Sequence, residues 1–186
     1  MMKNREWGAV AYLSHSKYGI NAEITINNYW NSSKKWSETG CGAAAGVTSQ
    51  VSTCAIPYGG ASTYRQSTTG NITGVFDMSG GLYEYVMGNY AGTKGSYFDV
   101  LPTDTKYYDI YNFDLMSSCN LITCGGHALN ETRWYSDSSY FVNSSYPWFY
   151  RGGSYSSGAN AGAFYADTGV GVAGLTYGFR SVLVTR

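Results

Sequence analysis

Few residues of this chain have the type and spacing that chemistry requires. Glu84 stands between two tyrosines and has the type of a general acid, but no second carboxylate follows at a defined spacing. Arg151 and Arg180 are of the type that binds anions. An arginine beside Gly-Gly or Gly-Phe more often bonds loop carbonyls or a buried carboxylate, such as Glu84 or Asp77. We therefore interpret both arginines as structural and assign no catalytic residue.

The four cysteines all lie in small, polar stretches: Cys41, Cys54, Cys119 and Cys124. Four cysteines allow three pairings, of which the local one, Cys41–Cys54 and Cys119–Cys124, is favoured. Free thiols are the main alternative. A structural zinc site is disfavoured because no CxxC spacing occurs and the two histidines are far apart. We expect no metal and no cofactor.

The composition favours a binding surface over a catalytic site. Gly, Ser, Tyr and Asn supply 24, 22, 19 and 12 of the 186 residues, and these four types are favoured on antibody-type binding surfaces. The 12 basic and 12 acidic residues balance, so the chain has no overall positive charge with which to attract nucleic acid or an anionic membrane. No run of 18 apolar residues exists to insert into a bilayer.

One helix and several short strands are predicted to position these residues. Apolar and small residues recur at helical spacing from Trp7 to Ser14, with Glu6 in the first turn and Gly19 as C-cap. Strands are predicted at 24–26, 82–86, 148–151 and 178–184, and the second of them alternates as if buried on one side. Core positions are expected at Trp7, Trp148, Phe179, Val182 and Val184. Short strands joined by long loops indicate a small α+β domain.

Four motifs occur in a fixed order along the chain. They are Glu-Trp-Gly-Ala-Val-Ala-Tyr at 6–12, Asp-Met-Ser-Gly-Gly-Leu-Tyr-Glu-Tyr at 77–85, Tyr-Arg-Gly-Gly-Ser-Tyr at 150–155 and Gly-Phe-Arg at 178–180. In this order they resemble the formylglycine-generating-enzyme type of C-type lectin fold. The resemblance spans nearly the whole chain and implies one C-type-lectin-like domain over 1–186, with few helices, short antiparallel strands and long loops.

The same resemblance argues against the family's enzymatic activity. Its enzymes carry a copper-binding cysteine pair just after Arg-Gly-Gly-Ser, whereas residues 154–177 contain no cysteine. The related iron-dependent enzymes need a cluster of histidines, and this chain has two. The calcium loop of sugar-binding lectins needs a Glu-Pro-Asn or Gln-Pro-Asp run, which none of the three prolines provides. The resemblance therefore implies a scaffold without catalysis.

A second resemblance concerns how the chain is used. Met-Lys-Asn-x-Glu-Trp at the start, Thr-Gly-Asn at 69–71 and Arg-Gly-Gly-x-Tyr with Gly-Phe-Arg at the end are similar to bacterial and phage surface proteins. These include targets of diversity-generating retroelements, which rewrite a C-terminal segment by adenine-directed mutagenesis. Codons of the type A-A-pyrimidine cannot yield Lys, Glu, Gln, Met or Trp in this way, and residues 150–177 contain none of the five. In that group the initial segment commonly lies inside a longer protein, which would explain why no signal peptide follows Met1.

The resemblance places a variable ligand-binding region at 146–177. The candidate ligand-binding residues are Tyr146, Tyr150, Tyr155, Ser157, Asn160, Tyr165, Asp167, Val170, Val172, Leu175, Thr176 and Tyr177. We expect non-covalent binding of a protein or cell-surface molecule, outside the cell on a bacterial surface or a phage virion, with no nucleic acid and no membrane insertion. The alternatives are an adhesive or structural surface domain that is not diversified, and an oxidase of the formylglycine-generating class.

Overall fold

A computed structural model of the chain describes residues 1–27, 61–98, 100–112, 135 and 137–183. Within them are one α-helix, three short 3₁₀ helices and one mixed sheet of five strands. The elements are α1 (Asn4–His15), β1 (Tyr83–Tyr90), β2 (Asp109–Tyr111), β3 (Trp148–Gly152), β4 (Gly162–Gly169) and β5 (Tyr177–Gly178). The predicted α+β class with few helices is confirmed.

The sheet has the order β2-β1-β3-β4, and β5 also pairs with β1. Strand β3 runs antiparallel to both β1 and β4. In contrast, β2 and β5 run parallel to β1, at residues 88–90 and 83–84. The expectation of antiparallel strands is therefore right for the centre of the sheet and wrong for its two short strands.

Helix α1 begins where predicted and ends earlier. The Lys3 N–H donates to Glu6 Oε2 at 2.8 Å, which pairs one of the amides that a helix start leaves free. The helix ends at Ser16, where the backbone N–H and the hydroxyl both donate to the Leu13 carbonyl. Gly19 is thus not the C-cap. Its role is close approach, because a Cβ there would lie 1.9 Å from the Leu13 oxygen.

One face of the sheet packs on α1 and forms the helix-side core. Trp7 is fully buried and donates its indole N–H to the Ala163 carbonyl at 2.8 Å. Other members of this core are Ala11, Met78, Val86, Phe149, Phe164 and Ala166. The predicted burial of Trp7 and Trp148 is confirmed. Strand β1 is buried on both faces from Tyr85 to Asn89, because side chains also cover the other side of the sheet.

Two of the predicted strands are not formed as expected. Residues 24–26 are extended but lie outside the sheet; Thr25 donates to the Arg65 carbonyl, and an isolated bridge follows at Asn27. Of the strand expected at 178–184, residues 178–183 are described, and within them only Gly178 belongs to a strand, Tyr177–Gly178.

The end of the described chain is consequently more exposed than predicted. Phe179 is 64% exposed and Val182 39%, so neither is a core residue, and Val184 lies outside the described residues. A backbone bond from the Met2 N–H to the Arg180 carbonyl holds this segment beside the chain start. The four cysteines and His127 also lie outside the described residues, so the disulfide pairing stays a prediction.

Candidate functional site

The sheet surface opposite the helix-side core carries five tyrosines, which we name the tyrosine face: Tyr83, Tyr85, Tyr150, Tyr165 and Tyr177. Alternation along β1 places Tyr83 and Tyr85 on one side, and register pairs Tyr85 directly with Tyr150. Neighbouring ring centroids lie 4.9 to 5.9 Å apart, mostly edge-on or tilted, with Tyr85 stacked on Tyr177. The rings thus pack as one aromatic cluster.

A single carboxylate organises the hydroxyls of this cluster. Asp167 Oδ2 accepts hydrogen bonds from the Tyr150 and Tyr165 hydroxyls, both at 3.0 Å. Its Oδ1 accepts the Thr168 N–H at 2.7 Å. Burial, and then the negative charge of Asp167, hold the pKa values of Tyr150 and Tyr165 far above the usual phenol range. Both phenols therefore remain neutral donors to the carboxylate.

A stacked aromatic pair and the backbone of a loop cover one end of the tyrosine face. Phe98 stacks on Trp148 with ring centroids 4.3 Å apart. Tyr97 donates its N–H to the Val170 carbonyl, which ties this loop to the segment after β4. Burial raises the pKa of Tyr85 to about 12. This end of the face is therefore packed interior and does not offer a binding surface.

The other end remains open and forms what we call the rim, which comprises Tyr155, Ser157, Leu175 and Thr176. The Tyr83 hydroxyl lies 3.2 Å from Ser157 Oγ, and the Tyr83 N–H donates to the Thr176 carbonyl. Leu175 is 77% exposed. These contacts place Ser157 and Thr176 beside Tyr83, which like Tyr177 is half-buried.

The structure divides the predicted site residues into three groups. Tyr150 and Tyr165 are buried, so these two candidate ligand-binding residues do not lie on the exposed surface. Half-buried are Tyr155, Ser157, Asp167, Val170, Val172, Thr176 and Tyr177, and exposed are Tyr146, Asn160 and Leu175. Tyr146 bonds to Asn143 in the loop before β3, and no described ring contact joins it to the tyrosine face.

Sequence reasoning missed Tyr83 and Tyr85 as members of this site. The signal was present, because two tyrosines at i and i+2 in a strand must share a face. This signal identifies the site only when the strand register is known, because the register brings Tyr85 opposite Tyr150.

Arg180 fixes the start of β1 from the other side of the sheet. Its guanidinium donates to both oxygens of Glu84, at 2.7 and 2.5 Å, and to the carbonyls of Phe76 and Asp77. It also lies over the Trp7 ring. The structural interpretation of Arg180 is confirmed, and Glu84 is committed to this two-point ion pair.

Arg151 is fully buried on β3. Burial lowers its pKa to about 10, while Tyr111 and Asp137 partly offset this effect. The guanidinium therefore stays charged at neutral pH inside the helix-side half of the protein.

Asp137 and residues 138–140 hold β4, which carries Tyr165 and Asp167. The Phe164 N–H donates to Asp137 Oδ2 at 2.9 Å, and Ser138 and Tyr140 bond to both backbone groups of Ala166. The carboxylate lies so close to Gly162 that a Cβ there would be 2.0 Å from it. Glycine at 162 is therefore needed for this contact.

Two further features bear on chemistry. In the described part of the chain, no three His, Cys, Asp or Glu side chains are grouped to hold a metal ion. None of the described helices has the length and apolarity needed to cross a membrane.

Comparison with known proteins gave no relative: no protein-family description, curated protein or solved structure matches the chain significantly.

Proposed function

We propose that this chain is a non-catalytic ligand-binding domain of receptor or adhesin type, with a C-type lectin fold of the formylglycine-generating-enzyme subclass. Its surface would be diversified by a retroelement and would recognise a protein or cell-surface molecule outside the cell. The order of the four sequence motifs supports the fold. One observation carries the binding role: the tyrosine face is packed at one end and borders the open rim at the other.

This division suits recognition by shape. The packed rings of Tyr150 and Tyr165 hold the backbone of β3 and β4 in place, so little conformational freedom remains to be lost on binding. The rim adds an exposed leucine, hydroxyls and half-buried aromatic rings, which resembles the mixture at centres of protein interfaces. An adhesive domain without diversification would use the same surface.

Photo-cross-linking tests the binding role and does not require the ligand to be identified. A benzophenone amino acid is placed at Leu175 on the rim, or at Tyr18 after α1, since the two positions are 77% and 75% exposed. On intact cells of the natural host we expect a discrete adduct from position 175 and none from position 18. Excess unmodified protein should remove the adduct, because both compete for one site.

A competitor protein with an altered rim is the matched control for this competition. Excess protein carrying Tyr155→Ala and Tyr177→Ala should fail to remove the adduct, since both substitutions alter the rim or its edge. Equal adducts from positions 175 and 18, or none from position 175, would contradict the proposed binding surface.

A further inference from the structure

Asp167 retains hydrogen-bonding capacity that the tyrosine face does not use. A carboxylate offers about four acceptor positions. Two phenols occupy Oδ2 and one backbone N–H occupies Oδ1, which leaves one position on Oδ1. Asp167 is half-buried, so solvent reaches part of this side chain. A donor that approaches from the open side can therefore complete its coordination.

The charge of Asp167 is also uncompensated within the described residues. The ion pairs found there join Arg5 to Asp109, Lys106 to Asp104 and Arg180 to Glu84. Among the described residues Asp167 has only neutral donors. Burial, then Tyr83 and then the charge of Asp167 raise the pKa of the Tyr177 phenol. A partly desolvated anion without a cation favours a ligand that brings one.

The neighbouring rings favour the same kind of ligand. Tyr83 and Tyr177 are half-buried, and their ring centroids lie 5.5 Å apart at a tilt of 32°. The faces of aromatic rings attract cations, most strongly when water is partly excluded. Because both rings are half-buried, a cation would approach the part of each ring that solvent reaches beside the rim.

We infer that Asp167, Tyr83 and Tyr177 form a subsite for an organic cation, the ammonium or guanidinium head of a Lys or Arg side chain on the partner protein. This inference rests on the proposed ligand-binding function and adds the chemistry that the surface selects. The exposed Leu175 offers apolar area for the aliphatic stem of such a side chain, which long basic residues commonly bury. In a chain of zero net charge, the attraction is local to this subsite.

Capped amino acids test the subsite directly. The probes are the N-acetyl methylamides of lysine, arginine and norleucine, since norleucine keeps the aliphatic stem and lacks the charge. Tyrosine-ring NMR signals are followed during titration of the intact chain. We expect saturable shifts of Tyr83 and Tyr177 with both basic probes, and an affinity about tenfold weaker for norleucine.

Two variants assign the preference to Asp167. Asp167→Asn keeps the shape of the side chain and should lower the affinity for the basic probes about tenfold, whereas Asp104→Asn, which removes an exposed carboxylate elsewhere, should not. Thermal unfolding of each variant verifies that it is folded.

Equal binding of norleucine and lysine, unchanged binding by Asp167→Asn, or no shift with the basic probes would each overturn the subsite. Cross-linking from Leu175 does not depend on charge. Its persistence in any of these cases would show that ligand binding stands and that only the cation preference is wrong.

Discussion

Replacement of Tyr165 by alanine is expected to lower the free energy of unfolding by about 3–5 kcal/mol, the usual range for truncating a buried aromatic residue. The side chain is 5% exposed, contacts the Tyr83 ring and donates to Asp167. Its loss would leave a cavity in the tyrosine face and remove one of two phenols that bond the carboxylate. Denaturant unfolding measures the change.

A graded series separates the contributions. Tyr165→Phe keeps the ring and removes only the hydroxyl, so we expect a loss of about 1 kcal/mol. Tyr146→Ala changes a tyrosine that is 52% exposed and should stay within about 0.5 kcal/mol of the original chain. If Tyr165→Ala were as stable as Tyr146→Ala, the packed end of the tyrosine face would not be a scaffold for the rim.

The second large effect is a pH dependence that arises from Asp137. This side chain is 1% exposed, and its Oδ1 has no hydrogen-bond partner among the described residues. Burial, with a smaller contribution from Glu23, raises its pKa from 3.8 to about 7, although the Phe164 N–H and Arg151 act in the opposite direction. The folded protein therefore keeps a proton at Asp137 that the unfolded chain has lost above about pH 4.

The sign of the effect follows from this difference. The stabilisation from protonated Asp137 is fully present below about pH 4 and is lost as the pH rises through 7, at a cost of about 4 kcal/mol. Unfolding free energies measured from pH 4 to 8 should thus fall more steeply for the original chain than for Asp137→Asn. Asp104→Asn is the control, because the hydrogen bond with Lys106 lowers the pKa of Asp104, a shift opposite in direction to that of Asp137. Identical slopes for the original chain and Asp137→Asn would contradict the assignment.

The sequence predicted the elements that carry a strong local pattern. Helix α1 has an apolar repeat and an acidic first turn, and β3 begins with an aromatic run, Trp-Phe-Tyr at 148–150, so both were predicted within a few residues. Arg180 and Trp7 were also placed correctly, because the arginine of Gly-Phe-Arg was predicted to bond carbonyls or a carboxylate and the helical tryptophan to lie in the core.

Strand β4 was not predicted, since Gly-Ala-Phe-Tyr-Ala-Asp-Thr-Gly at 162–169 has small residues where a strand usually has branched ones. Its stability comes from pairing with β3 and from hydrogen bonds to Asp137, Ser138 and Tyr140, which are contacts distant in sequence. The converse error occurred in the strand predicted at 178–184, where the described residues 178–183 pair as a strand only at Gly178.

The candidate site was predicted as a segment and not as a surface. Residues 146–177 include helix-side core positions such as Phe149 and Phe164 as well as rim positions such as Leu175. A strand alternates its faces, so a continuous variable segment cannot bind ligand with every residue. Only the register shows that Tyr150 and Tyr165 belong to the scaffold and that β1 contributes Tyr83 and Tyr85.

Sequencing the coding region and its flanking DNA in independent natural isolates tests the central claim, a diversified binding surface, most directly. We expect a nearby reverse-transcriptase gene and a near-identical template repeat that differs at adenine positions. Variable codons should coincide with the rim and other exposed positions, such as Tyr155, Asn160 and Leu175, while Phe149 and Phe164 stay constant. Absence of the repeat, or substitutions spread evenly over exposed and helix-side core codons, would contradict a diversified binding surface.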